Sequence, residues 1–231
     1  MIARGKPGRP GAGLRLRRDA ARFGRGFARY SRAQDGVAAV EFAMVLPLLV
    51  LLYFGATDLA GYVSNFRKVT LSARAVADLL AREGGDVSPG QFAAIVRAGR
   101  AVLAPYDGAS ARIAAKAIGV YDANGRARVC SYQVEAGNAA APAPSGPTDV
   151  PTVPDAYKKA GARYLVVELT MAYKPIFAAG LAKRFNLGTQ TETVIWPVRN
   201  GKVYNVAVTS NPEVVLPTVV SNSNGGACPV P

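Results

Sequence analysis

The run from Val37 to Thr57 constrains this chain more than any other stretch. Its one ionisable side chain is Glu41, near the front, and Ala43 to Ala56 reads AMVLPLLVLLYFGA. As a helix at ~1.5 Å per residue, such a run is long enough to cross a hydrocarbon core of ~30 Å. A buried helix of a soluble domain would still need a polar stripe, and Phe42 to Ala56 offers none. The reading is therefore a single membrane-spanning helix. Pro47 lies within it, where a bilayer tolerates a proline that an exposed soluble helix would not.

Charge orients the span. The chain of 231 residues carries a net +13, most of it in residues 1–36, where Lys and Arg far outnumber Asp19 and Asp35. A basic flank directly before a span places the N-terminus in the cytoplasm and everything after Asp58 on the opposite side. Within that flank Leu16, Ala20, Phe23, Phe27 and Tyr30 recur at helical spacing among arginines, which suits a short amphipathic helix on an anionic membrane surface. Nucleic-acid binding is the rival reading of such arginines, but orientation of the span already accounts for them, and no nucleic-acid partner is expected.

Beyond the span the helical period continues. Leu59, Tyr62, Phe66, Val69, Ala73, Val76 and Leu80 form one apolar stripe, which Gly84-Gly85 ends. That stripe can pack on the chain's own distal domain or against a neighbouring helix. Ser88-Pro89-Gly90-Gln91 then supplies a cap, a first-turn proline and a capping-box glutamine for a second helix, with Phe92, Ile95, Val96, Val102 and Leu103 on one side and Pro105 after it.

From there the period changes to that of strands. Ile113 to Tyr121 and Arg126 to Val134 flank Asp122-Ala123-Asn124-Gly125, a hairpin signal because Asn-Gly accepts positive φ. Gly137 to Pro154 is a loop rich in Pro, Ala and Gly. Tyr164 to Tyr173 is a strong strand, Ile176 to Phe185 a short helix, Thr189 to Trp196 another strand, and Val203 to Thr209 an edge strand. The expected organisation is a leader at 1–36, a span at 37–57, a helical extension at 58–84, an α+β domain at 85–210 and a tail at 211–231. Its sheet is antiparallel, with roughly four strands.

Catalysis finds little footing. Histidine is absent, and with it the commonest general base and metal ligand. There is no Gly-rich phosphate loop leading to Lys-Ser/Thr and no cysteine pair at metal spacing. The reading is a non-enzyme with no cofactor and no metal. Cys130 and Cys228, the two cysteines, both fall on the side assigned as oxidising, where they could form a disulfide or remain two thiols.

Glu41 requires an explanation, because a carboxylate inside a span is costly and calls for a partner or a reach to the interface. Gly36, followed at the fifth position by an acid and at the sixth by an aromatic, behind a basic leader and before an apolar helix, resembles the cleavage region of type IV prepilins. Further along stand Ala39-Val40-Glu41-Phe42-Ala43, Leu46-Pro47-Leu48-Leu49, and Phe54-Gly55 with Asp58. On these motifs the resemblance of residues 35–62 is more specifically to the TadE-like family of minor pseudopilins, which act with the Flp pilus in the tight-adherence (Tad) secretion apparatus. It extends loosely to Tyr173-Lys174-Pro175-Ile176-Phe177 and to Trp196-Pro197-Val198-Arg199. The leader is long for this class, and Phe42 stands where the major Flp pilin has Tyr. A TadG-like chain would usually carry a much larger distal domain.

The resemblance implies cleavage by a membrane prepilin peptidase between Gly36 and Val37, with Glu41 and Phe42 serving assembly. Its partners would be lipid, that peptidase, other pilin-like subunits and the pilus secretion machinery. The implied location is the bacterial inner membrane, single-pass, with the distal domain in the periplasm. The alternative is an unprocessed signal-anchored periplasmic module that uses Gly137 to Pro154 for recognition.

Overall fold

An unbroken apolar run followed by an apolar stripe at the same period gives one uninterrupted helix. In the structure, a computed structural model, α1 spans Asp35–Ala81, 47 residues, with Pro47 inside it. The described residues are 35–120, 126–137, 150, 152–177, 188–200, 202–203, 212–220 and 228. The expected leader helix, the hairpin turn at 122–125 and most of the 137–154 loop lie outside them. So do the expected edge strand beyond 203 and the 178–185 part of the expected short helix; Ile176 and Phe177 themselves form a bend.

The chain divides into two units, Met1–Tyr53 and Phe54–Pro231. In the first, every described side chain from Gly36 to Tyr53 is exposed. The helix is long and apolar enough to cross a membrane, and hydrocarbon is a solvent in which its apolar surface, Glu41 apart, needs no protein cover.

In the second unit, α1 continues as one wall of an α+β domain. Ser88 caps helix α2, Pro89–Val102, through a complete capping box with Gln91. Strands β1 (Arg112–Val120), β2 (Ala127–Glu135), β3 (Arg163–Ala172) and β4 (Thr189–Pro197) are joined by β5 (Lys202–Val203), β6 (Pro212–Glu213) and β7 (Thr218–Val219). The main sheet has five strands in the order β4-β3-β1-β2-β7, all antiparallel, and β5 pairs with β6. The fifth strand exceeds the expected four because Thr218 and Val219 pair with Tyr132 and Ser131 at the β2 edge.

The sheet alternates its side chains between two covered faces. Ile113, Ala115, Leu165, Val167, Leu169 and Met171 meet Val69, Ala73, Val76 and Leu80 of α1 and Phe92 and Val96 of α2. Ile118, Val120, Val129, Tyr164 and Val166 lie on the other side, under Val150, Val153 and Tyr157. At roughly 1.5–3 kcal/mol for each fully buried large apolar side chain, this packing fixes the distal half of α1 more firmly than helix propensity could. The two helices touch closely where Gly99 faces Val76. A Cβ there would collide with Val76 Cγ2, and the space lets Ser72 Oγ donate to the Gly99 carbonyl at 2.8 Å.

The expected stripe is only half buried. Val69, Ala73, Val76 and Leu80 are in the core, but Leu59 is 60% exposed and Phe66 43%. Asp58, Asn65 and Ser72 turn inward instead. They fall on the same helical face as Val69 and Val76; Asp58 and Ser72 tether that face through hydrogen bonds, whereas the buried Asn65 amide has no hydrogen-bond partner among the described residues.

The tail is stitched down. Val87 donates to the Val215 carbonyl and Val215 to that of Gly85, while Leu216 N–H donates to Ser131 Oγ at 2.9 Å. Glu213 faces Arg163 at 3.2 Å, both side chains nearly sealed from solvent. Burial pushes the Glu213 carboxyl up to about 7 against the pull of Arg163. The α1 terminus is held by Arg199 and Asn200, whose N–H groups both donate to the Ala81 carbonyl at 2.9 Å. Arg199 also bridges to Asp78 at 2.8 Å.

Candidate functional site

The expected processing residues all lie in the first turns of α1. Gly36, Val37, Glu41 and Phe42 are exposed. Val37 and Glu41 are one turn apart, the spacing that puts two side chains on the same face. Helical Cβ atoms tilt toward the N-terminus, so the Glu41 side chain leans back toward Val37. A Cβ added at Gly36 would meet nothing within 4 Å, and Gly36 is not among the glycines with positive φ. Neither packing nor backbone geometry calls for glycine there, although glycine costs a helix roughly 0.5–1 kcal/mol relative to alanine.

A second cluster forms around Asp58, at the base of the distal unit. Asp58 is only 8% exposed. Its carboxylate accepts the Ile176 N–H at 3.0 Å and the Phe177 N–H at 3.1 Å. The Tyr173 hydroxyl donates to the Asp58 backbone carbonyl at 3.0 Å, and the Tyr106 hydroxyl to that of Gly61, also at 3.0 Å. Gln190 adds a bond from its side-chain amide to the Tyr62 carbonyl at 3.1 Å. Gly61 permits this approach: a Cβ there would stand 2.8 Å from the Tyr173 hydroxyl. Burial first, then Asp58 and Tyr106 nearby, push the Tyr173 phenol up, which keeps it a neutral donor.

Two ring contacts complete the clasp. Phe177 stacks on Phe54 with centroids 4.3 Å apart, and Tyr62 meets Tyr173 edge-on at 5.5 Å. A cavity of about 90 Å³ opens alongside, lined by Asn65, Tyr106, Tyr173 and Lys174 among others. It is roomy enough for water, whose share of liquid volume is roughly 30 Å³.

The two cysteines meet. Cys130 and Cys228 are bonded, with Cα atoms 5.1 Å apart. Between Ala117 and Ile118 the β1–β2 register skips one residue of β2, which makes Cys130 the extra residue of a bulge. Bulges re-aim a side chain away from the regular ladder. The Cys130 carbonyl still accepts the Val220 N–H at 2.8 Å.

The sequence pointed to Asp58 and to Tyr173 through Phe177 only as separate pieces of a resemblance. The fold joins them into one assembly across 118 positions of chain, a pairing that no local pattern signals. No curated protein and no solved structure matches the chain. The family model described as TadE-like protein matches residues 36–78, the stretch of α1 that carries Gly36, Val37, Glu41, Phe42 and Asp58, and the family is the one that the sequence resembles.

Proposed function

We propose that this chain is a minor pilin-like subunit that assists assembly of a Tad/Flp pilus. It acts in the bacterial inner membrane, with the N-terminus cytoplasmic and the distal domain periplasmic. The TadE-like match over residues 36–78 supports a role in Tad pilus assembly. The observation that carries the finer reading is the placement of Gly36, immediately ahead of the apolar run and five residues before Glu41; its surroundings are open, as they are at the helical Gly55 and Gly90. Cleavage after Gly36 by a prepilin peptidase is the processing that this placement fits.

Hydrolysis of the Gly36–Val37 bond would leave a terminal ammonium on Val37, one turn from Glu41. The pair, within one subunit or between neighbours, would offset the cost of a carboxylate in lipid by a charge-assisted hydrogen bond. Assembly would then exchange lipid for neighbouring helices along α1. Leu59, Val63 and Phe66, all exposed on α1 beyond the apolar run, extend the surface open to such neighbours.

Glu41→Ala tests the pairing. The variant should insert into membranes as the parent does, yet give fewer pili in cells that carry the rest of the apparatus. Equal pilus yield would refute the pairing mechanism.

A further inference from the structure

The chain leaving β3 turns its two largest apolar side chains outward: Ile176 is 77% exposed and Phe177 53%. Exposed loops ordinarily leave their amides to water. Here both N–H groups are taken by the Asp58 carboxylate, and the preceding Pro175 has no N–H to satisfy. Water makes no such demand, whereas hydrocarbon does, because an unsatisfied backbone donor costs several kcal/mol there. The apolar tip is thus built with its polar backbone already satisfied.

Its position fits the same medium. The Phe177 ring stacks on Phe54, and Phe54 belongs to the apolar run 37–57. Just before the tip in the chain Lys174 is exposed, with a flexible stem that can carry its ammonium to phosphate while apolar neighbours sit deeper.

We infer that Pro175-Ile176-Phe177 is a membrane wedge, seated at the boundary between headgroups and acyl chains of the leaflet that faces the distal domain. Its partner is the lipid surface. With α1 it gives the domain a second point of attachment, and Asp58 is the residue that couples the two. The inference rests on reading α1 as a span. A neighbouring copy is the other occupant that exposed apolar side chains could take, and a dry interface with it would also need both amides satisfied; what favours lipid is that Phe177 stacks on Phe54 of the apolar run with Lys174 exposed beside it in the chain.

The test uses full-length protein in vesicles of phosphatidylcholine and phosphatidylglycerol, in a Trp196→Phe background, with one tryptophan introduced by Phe177→Trp or, as control, by Leu48→Trp. The Phe177→Trp indole should emit at short wavelength and lose most of its fluorescence to bromines near the headgroup end of the acyl chains, and less to bromines near the chain ends. The Leu48→Trp indole should be quenched by the deep bromines. Water-like, unquenched emission from Phe177→Trp beside a quenched control would overturn the wedge and leave the span standing. Short-wavelength emission that brominated lipid does not quench and that follows the protein-to-lipid ratio would overturn it in favour of a protein neighbour. A control untouched by bromine would remove the span, and the wedge with it. Should Trp196→Phe fail to fold, the same spectra taken with Trp196 retained, as differences from the parent, read the same outcomes.

Discussion

Asp58→Ala should release the Ile176 and Phe177 amides without unfolding the domain. The carboxylate takes two backbone N–H bonds, at 3.0 and 3.1 Å, and hydrogen bonds to a charged group contribute roughly 1.5–3 kcal/mol each. Two such bonds set a ceiling of about 3–6 kcal/mol by that rule. The net loss is smaller, because a segment freed from Asp58 can lift from the detergent surface and turn its amides to water, while the nearly buried carboxylate no longer has to be desolvated. A local loss of about 2 kcal/mol follows, or roughly a 30-fold rise in amide exchange at ~1.4 kcal/mol per factor of ten. Asp58→Asn keeps one acceptor oxygen and should cost about half as much. The assay is hydrogen–deuterium exchange of the peptide containing residues 172–177 in the full-length protein in detergent. A strand peptide from β1 serves as the internal reference, since its exchange reports global opening. Unchanged exchange at Ile176 and Phe177 in Asp58→Ala would refute the reasoning, as would an equal rise in the β1 peptide.

Two further outcomes concern the core and the tail. The Glu213 carboxyl sits at about 7 in the fold against 4.5 ordinarily, so between those values the folded chain holds a proton that the unfolded chain has released. Stability should therefore fall as pH rises through that window, and Glu213→Gln should flatten the decline in pH-dependent denaturation midpoints; an unchanged slope contradicts this. The bond between Cys130 and Cys228 closes positions 98 apart, a loop worth about 4.7 kcal/mol in the chain-entropy model. Reduction or Cys228→Ser should lower the denaturant midpoint accordingly, and two alkylated cysteines without reductant would show that the pair does not form.

Elements with a strong local period were legible in the sequence. The apolar run and its continuation gave α1, the Ser88-Pro89-Gly90-Gln91 cap gave the start of α2, two strand-like runs around Asn124-Gly125 gave β1 and β2, the run from Tyr164 to Tyr173 gave β3, and alternation from Thr189 to Trp196 gave β4. Long-range partners were not legible. The stripe containing Leu59 and Phe66 was expected to lie inward as far as it packed on the domain, because apolar spacing cannot distinguish a core-facing residue from one facing lipid or a neighbour. What turns the helix is a set of polar tethers, Asp58 to Ile176 and Phe177 and Ser72 to Gly99, whose partners are far apart in sequence. Thr218 and Val219 carried no strand signal among prolines and serines. They become a strand because neighbouring tail residues are fixed to Ser131 and Cys130. At the proposed processing site, Gly36 and Glu41 stand out in the sequence by type and spacing; the structure adds that a Cβ at Gly36 would meet nothing within 4 Å.

The central claim is that this helix begins its working life at Val37. The direct measurement is the N-terminus of the protein recovered from membranes of cells that also carry a prepilin peptidase. The account predicts a chain beginning at Val37, with a Gly36→Leu variant recovered uncut. A parent chain recovered only with its first residue still Met1 would contradict it and leave an anchored domain in place of a pilin-like subunit.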